Sequence, residues 1–156
     1  MLVCGSRRWS DRALIERVLR SYGPAVIVHG AAQGTDRIAA SVAERLGWPV
    51  EPHPADWQRY RRSAGPRRNL EMLDTRPVLV IAFTVIAGGT PGTRHTLTNA
   101  YRRGIPVVIV TPDGHITTYT PTKPHGGQGR GSHAAASDDT PRSCRTQAPI
   151  PKGDTQ

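Results

Sequence analysis

The chain has 156 residues, a formal net charge of +9 and two cysteines. That length fits one domain with a tail. No run of about eighteen apolar residues occurs, which argues against a membrane-spanning helix. The start passes directly into Leu2, Val3 and Cys4 without a charged leader, and Cys4 and Cys144 stand too far apart in sequence to suggest a metal pair or a disulfide framework. A reducing, cytoplasmic setting is therefore expected.

Nineteen of the 21 basic residues are arginine. Arginine suits bidentate recognition of phosphate, although a GC-rich coding bias enriches it as well. Residues 1–112 hold 16 basic and 8 acidic residues, so +8 of the +9 belongs to the part expected to fold. Nucleotides or nucleic acid are the partners such a balance favours.

Residues 1–5 read as a short apolar strand leading into Gly5, Ser6, Arg7 and Arg8, well placed for a phosphate or carboxylate and equally compatible with a solvated loop. Ser10 is expected to cap a helix bearing Leu14, Ile15, Val18 and Leu19 at helical spacing. Trp9 reads as a lid over the core. A second buried strand covers residues 25–29. The glycine turn Gly30-Ala31-Ala32-Gln33-Gly34-Thr35-Asp36 then opens a helix with Ile38, Ala39, Val42, Ala43 and Leu46 inward and Gly47 as its stop. Asp36 falls in the first helical turn, where a carboxylate suits the dipole but repels an anion. It therefore serves as a cap or meets a ribose hydroxyl or a base edge.

Residues 49–53, with two prolines, read as a third strand at an edge. Residues 54–66 are polar and interleave Trp57 and Tyr60 with Arg59, Arg61 and Arg62. Such a stretch can stack bases and hold phosphates, or it is a surface loop whose aromatics pack down. Pro66 is expected to open a short helix in which Leu70 and Leu73 pack, leaving Arg68 and Asn69 to reach a neighbouring loop. A fourth apolar strand, residues 78–83, precedes Gly88-Gly89-Thr90-Pro91-Gly92-Thr93. A helix follows with Leu97, Ala100 and Tyr101 on one face and Gly104 as its stop.

Strand, glycine turn and helix N-terminus together make an anion site, because glycine lets the backbone approach a phosphate and the helix end offers unpaired N–H groups. Thr93 is expected to cap this helix or to donate its hydroxyl to the same oxygen. A fifth strand covers residues 105–110. From residue 115 proline, glycine, serine and threonine dominate, so 115–156 is expected to be disordered, with residues 115–120 able to add one edge strand. His125 and His133 there lack metal-ligand spacing.

Five alternations of strand and helix imply an α/β fold: a Rossmann-like, doubly wound, mostly parallel five-stranded sheet with helices on both faces, over residues 1–114. The turns after strands one, two and four would open on one sheet edge, where such folds bind ligands. No G-x-G-x-x-G follows the first strand, so the dinucleotide fingerprint is missing.

Four blocks carry a resemblance: Val3-Cys4-Gly5-Ser6-Arg7, His29 through the second glycine turn, Gly65-Pro66-Arg67-Arg68-Asn69, and the turn from Gly88 to Thr93. Together they resemble the SLOG superfamily, the Rossmann-like group of the LOG phosphoribohydrolases and the DNA-processing protein DprA, and most of all its YspA-type, YpsA-related small proteins. The resemblance spans nearly all of residues 1–112. It implies a nucleotide-type ligand held by Gly5, Ser6, Arg7, Gly30, Gly34, Thr35, Asp36, Arg68, Asn69, Gly88, Gly89, Gly92 and Thr93, with no cofactor or metal.

In LOG enzymes a catalytic glutamate follows the last glycine turn. Here Arg94, His95 and Thr96 stand after Thr93, and that glutamate is absent. Arg68 matches the LOG helix arginine, while Glu71 and His95 are the other catalytic candidates. The expected function is a binder or sensor of a nucleotide or ADP-ribose-like molecule. The alternatives are LOG-like hydrolysis of a nucleoside-monophosphate N-glycosidic bond and DprA-like binding of single-stranded nucleic acid. Dimerisation is usual among LOG-like proteins, so the resemblance leaves a homodimer through a sheet edge or helix face open, although the sequence does not show one.

Overall fold

The computed structural model describes residues 1–86 and 88–121, and the backbone of 144–147. Most of the segment expected to be disordered, with His125 and His133, lies outside the described residues. Among the described residues, seven strands form one sheet in the order β3-β2-β1-β4-β5-β6-β7. They are β1 (Leu2–Gly5), β2 (Ile27–His29), β3 (Val50–Pro52), β4 (Val80–Phe83), β5 (Val107–Val110), β6 (Ile116–Tyr119) and β7 (Cys144–Gln147). The first five pair in parallel, and β6 and β7 add antiparallel pairings beyond β5. The expected doubly wound sheet is thus present and carries two further strands, the first of them at residues 115–120.

Among the described residues, five α-helices connect the strands: α1 (Arg12–Tyr22), α2 (Thr35–Arg45), α3 (Trp57–Tyr60), α4 (Ala64–Asp74) and α5 (Pro91–Arg102). Successive strand side chains point to opposite faces, and the core divides accordingly. Val3, Ile81, Phe83 and Val108 meet Leu14, Ile15 and Val18 of α1 and Ala39 and Val42 of α2. On the other face Leu2, Cys4, Val80 and Ala82 meet Met72 and Leu73 of α4 and Leu97 and Ala100 of α5. β1 and β4 are buried on both sides, which is why they read as unbroken apolar runs. Trp9 closes the first layer as expected, its ring edge-on to Phe83 with centroids 5.2 Å apart.

Several ends differ from the sequence reading. Asp11, not Ser10, caps α1: its carboxylate accepts from Leu14 N–H at 2.8 Å. Thr90, not Thr93, caps α5, with Pro91 in the first helical position. There a missing N–H costs nothing and the fixed φ of proline already suits a helix. α4 begins at Ala64, two residues before Pro66, because a 3₁₀ turn (Arg61–Ser63) runs directly into it. The apolar run before β4 enters the ladder only at Val80, and Val78 is left 77% exposed. Among the described residues no helix is long and apolar enough to cross a membrane.

Candidate ligand-binding site

The strand order reverses between β1 and β4: β2 and β3 build outward on one side of β1, and the chain returns to place β4 on the other. The loops leaving the carboxyl ends of β1 and β4 then diverge, which opens a crevice at the sheet edge. A cavity of about 520 Å³ lies there, within the usual size of small-molecule sites.

The loop after β1 forms one wall with Gly5, Ser6, Arg7 and Arg8. It is bolted to the start of α2, since Ser6 C=O accepts from Trp9 N–H, from Thr35 N–H and from the Thr35 hydroxyl at 3.1–3.2 Å. Gly34 makes this approach feasible. Its φ is +72°, and a Cβ there would sit 2.5 Å from the carbonyl oxygens of both Ser6 and Arg7. Gly34 and Thr35 therefore stand behind the wall, holding it in place.

Asp36, 5% exposed, is the only carboxylate among the residues that line the cavity. Its Oδ2 accepts from the N–H groups of Gly30 and Ala32 at 3.0 and 3.2 Å, so the glycine loop wraps around it. Oδ1 takes no such bond among the described residues. Burial pushes this carboxyl above its ordinary range, opposed by the Ala32 N–H, the nearby Arg68 guanidinium and the Gly30 N–H.

Arg68 crosses from α4 to this loop. Its Nη1 donates to Gly30 C=O and stands 4.0 Å from Asp36 Oδ2. The guanidinium covers the space that a side chain on residue 30 would fill. Its Nε donates to Asn69 Oδ1, and Asn69 Nδ2 donates to Gly92 C=O at 3.3 Å. A polar chain thus ties the loop after β2, helix α4 and the start of α5 together behind the cavity.

The start of α5 supplies Thr90, Gly92, Thr93 and Thr96 to the opposite wall. Thr90 Oγ1 accepts from Thr93 N–H at 3.4 Å and lies 3.0 Å from the Thr93 hydroxyl. Gly92 N–H belongs to the first helical turn, whose donors have no acceptor within the helix. Val85 and Ile86 add an apolar rim, 41% and 53% exposed. With Arg7, Arg8 and Arg68 against Asp36, the lining is net positive.

The structure thus brings Gly5, Ser6, Arg7, Asp36, Arg68, Asn69, Gly92 and Thr93 around one cavity. Gly30 lies in an adjoining groove. Gly88 and Gly89 shape the turn before α5 outside the lining; Gly89 N–H closes it onto Ile86 C=O at 3.0 Å. Glu71 is exposed and outside the lining. His95 is outside it too, with a buried Nδ1 that has no hydrogen-bond partner among the described residues. Arg8 was legible beside Arg7 in the sequence, whereas Thr90, Thr96 and the Val85–Ile86 rim were not expected at the site. Thr90 was legible as a threonine directly before a helix-opening proline. Among the described residues no group of three or more His, Cys, Asp or Glu is placed to hold a metal ion.

A doubly wound α/β sheet with a basic, glycine-lined crevice at its switch point defines a Rossmann-like fold. The family model for YspA, cpYpsA-related SLOG proteins matches residues 1–60. The Gene 61 protein of Mycobacterium phage D29 is 39% identical over 118 residues, covering 69% of this chain and 93% of the phage protein. The chain belongs to the YspA, cpYpsA-related SLOG family. Membership points to a nucleotide-related or nucleic-acid-binding role.

Proposed function

We propose that the protein binds a nucleotide or an ADP-ribose-like molecule in this cavity, as a binder or sensor. One observation carries the reading: the first turn of α5, at Gly92 and Thr93, lines the same cavity as Arg7 and Arg8. Helix end and arginines together favour a phosphate. The Val85–Ile86 rim offers an apolar surface to a base. Asp36, through the oxygen its loop does not occupy, suits a ribose hydroxyl.

The lining favours binding over glycosidic cleavage, because its one carboxylate is held at Oδ2 by the glycine loop and neither Glu71 nor His95 lines the cavity. Isothermal titration of the full chain with AMP, ADP and ADP-ribose tests the proposal. Ligand at a hundred times its Kd should also stabilise the fold by about 2.7 kcal/mol, and Arg7→Ala with Arg8→Ala should weaken binding at least tenfold. Absence of binding to all three would overturn it. Release of free adenine from AMP that Asp36→Asn abolishes would replace it with the hydrolase reading.

A further inference from the structure

A second concavity, of about 430 Å³, adjoins the cavity on the outer side of Arg68. It lies between the loop after β2, the start of α2 and the segment around α3. Arg7, Ala32 and Arg68 line both spaces, so the two are neighbours across one shared wall. The outer groove adds Arg37 and Trp57, and no acidic residue lines it.

Trp57 is 53% exposed, although an indole is among the side chains that gain most from burial. Its placement is built. Asp56 caps α3 by accepting from Arg59 N–H at 2.9 Å, which fixes the helical turn that presents the ring. Gly65 meets the edge of the ring, where a Cβ would stand 3.4 Å from the Trp57 six-membered ring. The half-exposed indole is thus held against α4 and lines this groove as well as a shallower one beside Tyr60, Arg61 and Arg62. Three arginines and a half-exposed indole make a surface for a base attached to phosphate.

The geometry points to a two-part ligand: a dinucleoside diphosphate whose first nucleoside occupies the cavity, whose phosphates meet Arg7 and Arg68 on the shared wall, and whose second base stacks on Trp57. This rests on the nucleotide reading of the cavity and narrows its ligand class. A single mononucleotide uses only the inner half. ADP-ribose reaches the shared wall but has no base to lay on the indole.

The test is isothermal titration of the full chain with ADP, ADP-ribose and P1,P2-diadenosine diphosphate, on wild type, Trp57→Ala and Trp57→Phe. Wild type should bind the dinucleotide about tenfold or more tighter than ADP-ribose, the increment expected of one stacked base. Trp57→Ala should erase that increment and leave the ADP affinity unchanged, while Trp57→Phe should keep most of it. Unchanged ADP binding also shows that the alanine variant is folded. Equal affinities for the dinucleotide and ADP-ribose in wild type would overturn the inference and leave the nucleotide site standing. Failure of all three ligands would remove both. Binding of oligothymidine that depends on Trp57, with no dinucleotide preference, would assign the ring to single-stranded nucleic acid and overturn the inference as well.

Discussion

Asp36 shows how one residue type at one position serves structure and site together. Its sequence position allowed a helix cap or a ribose contact, and the fold assigns one oxygen to the loop while the side chain still lines the cavity. Its carboxyl is raised chiefly by burial. The folded state therefore keeps this proton to higher pH than the unfolded chain does. The stability it contributes is full below the unfolded value, near 3.8, and is lost as pH rises through the folded value. Urea unfolding of wild type and Asp36→Asn between pH 3.5 and 7 should show wild type losing ground to the variant as pH rises. The loss should be about 1.4 kcal/mol for each unit by which the folded pKa exceeds the unfolded one. A difference that is flat across this range would contradict the burial argument.

At the scale of elements, turn chemistry decides how the walls meet. Gly34 combines a left-handed backbone with a contact between two chain segments, so Gly34→Ala should cost at least about 2 kcal/mol by chemical denaturation. Because that alanine would push the β1 loop away from α2, ligand affinity should fall with stability. Thr90 and Thr93 show why an element's end is harder to read than its existence. Both are good capping residues, three positions apart, and either suits the local pattern. Proline at 91 selects Thr90, since it belongs in the first helical turn rather than before the cap. At α1 the cap expected at Ser10 falls one residue later, where the Asp11 carboxylate accepts from Leu14 N–H. The residues around α3 hold no apolar periodicity, so their short turns were not legible. Tyr60 lies there beneath the Arg67 guanidinium at 4.2 Å, a contact from the next helix.

At the scale of the molecule, the sheet extends past the five parallel strands, and the first added strand, β6, is part of the core. Ile116 of β6 is 2% exposed and packs with Val108, Val110 and the α1 side chains. Ile116→Ala should therefore destabilise the protein by about 2–5 kcal/mol in urea. β6 lies beyond β5, away from the β1–β4 crevice, so the folded variant should keep its nucleotide affinity. A cost below about 0.5 kcal/mol would mean that this strand is not a working part of the core.

The order of strands and helices, the buried character of β1 and β4 and the places of the glycine turns were determined by the sequence alone. Each rests on a local signal: an apolar run, a 3.6-residue spacing, a backbone that only glycine adopts readily. Tertiary structure decided which turns face one another. Gly30 and Gly92 are linked through Arg68 and Asn69 only because α4 and α5 cover the same face of the sheet and β4 lies beside β1. Strand order is a non-local choice. It is made by whichever pairing buries both faces of the central strands, and no spacing along the chain records it.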